Sequence, residues 1–440
     1  MEKVTPVDTT DITNTSGQGT KAPAGGGDRL RDILNAELEL GRLLFTAGSP
    51  GQRILDSIAF LNEKLDGGKL KVLLGFEALV ITVEQGTKRK VGMVDYPMPV
   101  ALNANAISEI SRYLHSLPDG KDPGTVLHDL ERLPLWLHYD RILTIAAVTL
   151  FTVIFGYFNH ADAWALLIIG IAALLAATVR ILVTGRGYSY YLVVLATTLV
   201  ATLVAAILSR VIPTNTPLIS LIIPCIFVIP GYQLINGGWE VLRNHLHIGI
   251  PRLVVFLNVL AIMTVGVLAV LLIYNPGQDG PGLYLPLSVS LVTVTALGGL
   301  TAACYCVLMN APRQAILVCF ICGAAGRLLR NGIVMTGGDV YLGVFCGTLV
   351  ISMLALLICP YWKLPIALPL VAASVQFVPG YYIILSLQGM AEIISMGQSV
   401  PYTVVSSTIS NGLLSLFVAA SIVMGTLLPL LIFGKERRWY

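Results

Sequence analysis

Charge is scarce in this sequence: 12% of its 440 residues are Asp, Glu, Lys or Arg, against about 25% in ordinary soluble domains, which excludes a wholly soluble protein. The scarcity is local, because Met1 to Arg141 hold 19 acids and 16 bases whereas residues 142–434 hold five acids and nine bases. No basic, briefly apolar and cleavable leader opens the chain, so the N-terminus is expected to stay unexported. Cysteine is missing outside apolar stretches, where a thiol acts as a small hydrophobe, and the lone Cys319–Cys322 pair has no second pair at zinc spacing. No GxSxG, P-loop, HExxH or GxGxxG motif is present, and the six histidines are scattered, so no enzyme, metal or cofactor is expected. The net charge of +3 is small and arises on the apolar side of the chain, which gives no support to nucleic-acid binding.

Residues 1–27, with Gly25-Gly26-Gly27 and few apolar side chains, are expected to be a disordered leader. Apolar residues at helical spacing predict a helix from Asp28 to the Gly48-Ser49-Pro50-Gly51 break and a second over 52–65. Alternating segments at 69–74, 78–84 and 88–94 predict a small antiparallel sheet, and helical spacing returns over 103–117 and 125–133. Residues 28–141 therefore read as a soluble α+β domain. Ten stretches long enough to cross a bilayer follow, near 142–158, 163–183, 190–210, 217–242, 253–274, 284–308, 312–330, 340–359, 364–388 and 403–433. With the first domain cytoplasmic, loops on that side and the C-terminus collect eleven Lys/Arg; the other side receives only Arg210, Arg327 and Arg330. Both termini are expected in the cytoplasm.

Tyr191–Val200 (YLVVLATTLV) and Tyr341–Val350 (YLGVFCGTLV) share six of ten residues at an offset of 150; Arg180 meets Arg330 in that register, and Pro230-Gly231-Tyr232 meets Pro379-Gly380-Tyr381 at 149. Such a duplication places five spans in each copy, 142–275 and 284–434. An odd number makes the second copy enter the membrane the opposite way round. The expected fold is an all-α membrane domain of ten transmembrane helices as two inverted five-helix repeats, preceded by a small soluble α+β domain. Inverted repeats are the architecture of alternating-access carriers.

The Pro-Gly pairs at 230–231 and 379–380 stand deep in apolar sequence and predict broken helices in the fourth and ninth spans. The bare N–H groups of a broken helix suit a carboxylate, and its bare carbonyls suit an ammonium; a simple proline kink is the alternative. Pro230, Gly231, Tyr232, Asn236, Pro379, Gly380 and Tyr381 are the candidate substrate-binding residues. Of the five acids, Asp162, Asp279 and Asp339 read as solvated loop residues. Glu240, four residues after Asn236 and on the same helical face, is the candidate for proton coupling or ammonium binding, with a helix-end pair to Arg243 as the alternative; Glu392 is its loose counterpart. A rival hydrolase reading would rest on Ser49 or Ser57 near a histidine.

These residues together resemble the threonine/serine exporter family over about residues 28–434. The sharpest part is Pro230-Gly231-Tyr232-Gln233-Leu234-Ile235-Asn236 through Glu240, then Gly249, Arg252 and Leu253. Glu240 stands where family members usually carry Asp, and Pro251 intervenes before Arg252. Gly48 and Arg53 match the family's small-residue turn followed by Arg, so Gly48, Arg53 and Arg252 are expected in structural or gating roles. The resemblance implies proton-coupled export of small neutral amino acids, threonine and serine above all, from the plasma (inner) membrane. Split two-protein relatives export dicarboxylates, which keeps that substrate class as an alternative. Expected partners are the amino acid, protons and the lipid bilayer, with a homo-oligomer left open.

Overall fold

The computed structural model describes residues 13–14, 28–96, 102–133, 139–184, 186–274 and 290–433. Most of the expected leader, His138, Asp279, residues 284–289 of the expected sixth span, and Lys435, Arg437 and Arg438 lie outside them. The chain forms two compact units. One comprises the residues up to Leu137 together with Glu240–Pro251; the other comprises His138–Trp239 and Arg252 onward. The inclusion of Glu240–Pro251 in the first unit is not visible in a linear division of the sequence.

The first unit contains β1 (Thr13–Asn14), α1 (Arg29–Thr46), α2 (Gly51–Leu65), β2 (Lys69–Leu74), β3 (Ala78–Gln85), β4 (Lys88–Asp95), α3 (Ala104–Ser116) and α4 (Pro123–Arg132). β2, β3 and β4 form the expected antiparallel meander, with Val72 opposite Ile81 and Ile81 opposite Gly92; β1, from within the expected leader, pairs parallel with β4. Leu79, Ile81 and Val83 of β3 are fully buried against Ile33, Leu40, Leu44 and Phe45 of α1. Gly92 has no side chain to hold α1 away: a Cβ there would stand 2.6 Å from Leu38 Cδ1. α1 stops because Gly48 takes a left-handed φ of 78°. That conformation lets Ser49 N–H donate to Leu44 O and Gly48 N–H to Phe45 O, satisfying two end carbonyls. Asn103 and Asp122 cap α3 and α4 by accepting from Ala106 N–H and Thr125 N–H.

The second unit is built from α5 (Arg141–Phe158), α6 (Ala163–Thr184), α7 (Tyr190–Val211), α8 (Pro217–Ile222), α9 (Gly231–Leu242), α10 (Leu246–Leu271), α11 (Leu291–Leu308), α12 (Arg313–Met335), α13 (Val340–Trp362), α14 (Ala367–Ser374), α15 (Gly380–Met396) and α16 (Tyr402–Phe433), the first residues of α10 and the last of α9 belonging to the other unit. Among the described residues eight helices are long and apolar enough to cross a membrane, or ten when each of two bent pairs counts as one span. The fifth span differs from expectation: α10 begins at Leu246, not 253, and carries Pro251 inside it. The seventh also differs. α12 runs on through Arg327 and Arg330 to Met335 because apolar Ile333, Val334 and Met335 continue the helix, so these arginines are helix residues and not loop charges.

Element boundaries recur along the chain. α5 and α11 match at both ends at an offset of 150, and the starts of α6, α7 and α8 reappear at α12, α13 and α14 at the same offset. Left-handed His160 and Asn310 recur too, as do Gly187 and Gly337. Between α8 and α9 the first copy has one residue more, which accounts for the shift to 149 at Gly231 and Gly380.

One acid departs from its expected role. Asp162 is buried, not solvated: its carboxylate accepts from Ala165 N–H at 2.8 Å, Thr214 Oγ1 at 2.8 Å, Asn215 N–H at 2.6 Å and Thr216 Oγ1 at 3.3 Å. Burial raises its pKa, but these donors outweigh it and hold the carboxyl below the usual range. Asp162 thereby caps α6 and clasps the loop after α7.

Candidate functional site

Both expected breaks are present. Pro217–Val228 bends by 63° into Gly231–Leu242, and Ala367–Phe377 bends by 45° into Gly380–Ser399. Proline sterics explain the bend, since the residue before a proline is pushed out of the helical region. Ile229, before Pro230, has φ −64° and ψ 120°; Val378, before Pro379, has φ −58° and ψ 124°. Each thus ends a short 3-10 turn, Ile223–Val228 or Val375–Phe377. In the second break the first helical bond runs from Ile383 N–H to Pro379 O, which leaves the N–H groups of Gly380, Tyr381 and Tyr382 ahead of it.

The two breaks sit on each other reciprocally. A Cβ on Gly231 would stand 2.9 Å from Val375 Cγ2 and 3.2 Å from Val378 Cγ2. One on Gly380 would collide with Ile229 Cδ1 and stand 3.3 Å from Ile226 Cδ1. At an offset of 149, Ile226 corresponds to Val375 and Ile229 to Val378, so each glycine rests on the counterparts of the residues that the other touches. A side chain at either glycine would force the facing side chains to shift. Around the contact lies a small apolar cavity lined by Phe151, Phe155, Ile226, Phe227, Ile229, Tyr305, Val375 and Val378. Three lining pairs, Phe155 with Tyr305, Ile226 with Val375 and Ile229 with Val378, are repeat counterparts.

The expected site residues distribute unevenly about this centre. Pro230, Gly231, Pro379 and Gly380 form the breaks themselves. Tyr232 accepts a hydrogen bond from Gln233 Nε2 at 3.1 Å, and Tyr381 packs edge-on against Tyr382 with ring centroids 5.6 Å apart. Asn236 is buried on α9, and Arg252 is buried with its Cβ 3.2 Å from the position a Gly237 Cβ would take.

Glu240 lies in the first unit. Its carboxylate is 1% exposed, accepts from Gly51 N–H at 2.5 Å and lies 3.0 Å from His245 Nδ1. It therefore caps the N-terminus of α2, where the helix dipole favours a negative charge. Gly51 has no side chain to block it: a Cβ there would be 3.1 Å from both carboxylate oxygens and from Ile248 Cδ1. Two residues on, buried Arg53 donates from Nη2 to Ser111 Oγ and so joins α2 to α3; burial pushes its pKa down to about 10. Ser49 is fully buried at the turn and offers no solvent-facing nucleophile. Glu392, the expected counterpart of Glu240, accepts from Gln388 Nε2 at 3.3 Å.

Two polar residues beside the second break escaped sequence reasoning. Arg327 and Gln376 are 4% and 3% exposed within the membrane-spanning unit. The available signal was the apolar Ile333-Val334-Met335 that continues past Arg330 and places Arg327 mid-helix.

A family model for ThrE, the threonine/serine exporter, matches residues 36–274, and a second, "Threonine/Serine exporter, ThrE", matches residues 295–432. No curated protein and no solved structure matches the chain. The two family matches span both halves of the molecule and both helix breaks, and the chain belongs to the threonine/serine exporter family.

Proposed function

We propose that this protein is a secondary active transporter that exports small neutral amino acids, threonine and serine foremost, by proton antiport with alternating access. The observation that carries the reading is the reciprocal seating of Gly231 and Gly380 around a cavity lined by repeat counterparts. A contact in which each partner uses the same patch is that of a two-fold relation. With five spans on each side of it, the two halves would run in opposite directions through the bilayer, and an exchange of their conformations would convert an inward-open into an outward-open state. The second break, whose Gly380, Tyr381 and Tyr382 N–H groups precede the first helical bond, would supply donors for a carboxylate at membrane depth.

Both termini are assigned to the cytoplasm of a plasma (inner) membrane by the loop-charge asymmetry. Asn236 would orient the substrate. Glu240 is the proposed coupling group: a proton there would cancel the charge that Gly51 N–H and His245 meet, and so loosen the cap on α2. The experiment is uptake into proteoliposomes under an imposed pH gradient, with a panel of amino acids and dicarboxylates and Glu240→Gln beside wild type. Gradient-driven accumulation of threonine and serine is expected in wild type and uncoupled exchange in Glu240→Gln. Dicarboxylate uptake alone would reassign the substrate, and undiminished coupling in Glu240→Gln would remove that residue from the proton path.

A further inference from the structure

Resting on the reading of the chain as an amino-acid carrier, we propose that Arg327 and Gln376 bind the two charged ends of an α-amino acid: the guanidinium takes the carboxylate and the Gln376 amide oxygen takes the ammonium.

Arg327 lies fifteen residues into the 23-residue α12, close to the middle of that span. A buried cation at such depth needs an anionic or hydrogen-bonding partner. Among the described residues its guanidinium meets no carboxylate and makes no hydrogen bond, and its Nε is fully buried and unbonded. It lies instead over two rings, Phe158 at 3.3 Å and Phe377 at 5.8 Å from the ring centroids. Aromatic faces attract the cation but leave its N–H donors unused. The rings also locate it. Phe377 lies between Val375 and Val378 of the second break, and Phe158 follows Phe155 by three residues on α5; Val375, Val378 and Phe155 all line the cavity.

Gln376 supplies the complementary group. Its Nε2 donates to Gly323 O at 3.1 Å and Ala373 O at 2.8 Å. Two carbonyl acceptors fix the amide orientation, since the reverse rotamer would set oxygen against oxygen. Oε1 is consequently turned away from both, buried and without a hydrogen bond. Arg327 and Gln376 meet at one place on α11: a Cβ on Gly298 would collide with Arg327 Cβ and stand 2.9 Å from Gln376 Oε1. An unused cationic donor whose aliphatic stem passes Gly298, and an unused neutral acceptor beside the same glycine, match a zwitterion. They match a dicarboxylate poorly, because the amide oxygen would face a second anion. The first half has no equivalent pair, since Ala177 stands where Arg327 stands in the second.

The test uses full-length protein with threonine as the probe, read by counterflow KM and by threonine-induced thermal stabilisation. In Arg327→Met the substrate-free melting temperature should hold or rise, because an unpaired buried charge is gone. The threonine-induced shift should vanish and KM should rise by about tenfold or more. A structural cation would behave oppositely, losing stability without substrate and keeping KM. Arg327→Lys keeps the charge without the planar fork and should also raise KM about tenfold; it decides the matter if Arg327→Met does not fold. In Gln376→Met, loss of affinity should be larger for threonine than for the hydroxy acid that lacks the ammonium. KM within twofold of wild type in either Arg327 variant overturns the proposal. Wild type that transports no amino acid would overturn the carrier reading itself, whereas transport-competent wild type with indifferent Arg327 variants would refute only this site.

Discussion

The two five-helix halves share a backbone plan and differ in the polar groups set into it. Pro-Gly and the extended residue before it occur in both. Several polar positions have diverged, although Arg180 and Arg330 match: Asp162 corresponds to Pro312, Ala177 to Arg327, Asn236 to Leu385 and Glu240 to Gly389. Packing that must serve two copies of one contact tolerates little change, because each glycine is constrained by the opposite half. Polar groups have no such constraint and can differ between the two copies of a repeated frame.

The largest effect should come from filling the shared contact. Gly380→Val would drive two methyl groups into Ile229 and Ile226 and should cost ~3 kcal/mol of stability, with transport lost. Gly231→Val should do the same against Val375 and Val378, as read by thermal melting and counterflow. A large difference between the two variants would break the symmetry of the comparison.

A second buried ionisable group sharpens the contrast with Arg327. Glu37 of α1 is fully buried with neither carboxylate oxygen bonded, and burial pushes its pKa up to about 8. A carboxyl can meet burial by keeping its proton; a guanidinium cannot and must find an anion. Because the folded state holds a proton that the unfolded state sheds above its ordinary carboxylate pKa, stability should fall as pH rises through this window. The expected loss is ~2 kcal/mol between pH 5.5 and 7. Amide-exchange protection of α1 in the full chain, corrected for intrinsic exchange, should show this slope in wild type and lose it in Glu37→Gln.

Smaller effects separate the remaining counterparts. Asp162→Ala would strand the donors of Thr214, Asn215 and Thr216 and should cost ~1.5 kcal/mol. Pro312→Ala, at the corresponding place, should stay within ~0.5 kcal/mol. Glu240→Gln keeps an acceptor for Gly51 N–H but removes the charge facing the α2 dipole, and should cost about 0.5 kcal/mol by chemical denaturation.

Much of this architecture was legible in sequence because it follows from local rules. Alternation located all three strands of the meander, and proline next to glycine located both breaks. The rest depends on contacts distant in sequence. Nothing near Glu240 tells that Gly51 donates to it across 189 residues. Asp162 sits among loop residues and so reads as solvated; four donors, three of them some fifty residues later, bury it. Arg327 was misread for a different reason, since counting charges near a span's end cannot distinguish a loop arginine from one enclosed by the helix bundle.

The central claim is that the two halves cross the membrane in opposite directions. Exposed Arg186 and Thr336 occupy corresponding places, each just before the left-handed glycine, Gly187 or Gly337, that follows α6 or α12. Single Arg186→Cys and Thr336→Cys variants, labelled with a membrane-impermeant maleimide in intact and then permeabilised cells, test it directly. Labelling of Thr336→Cys in intact cells, and of Arg186→Cys only after permeabilisation, is the expected result; modification of both from the same side would contradict it.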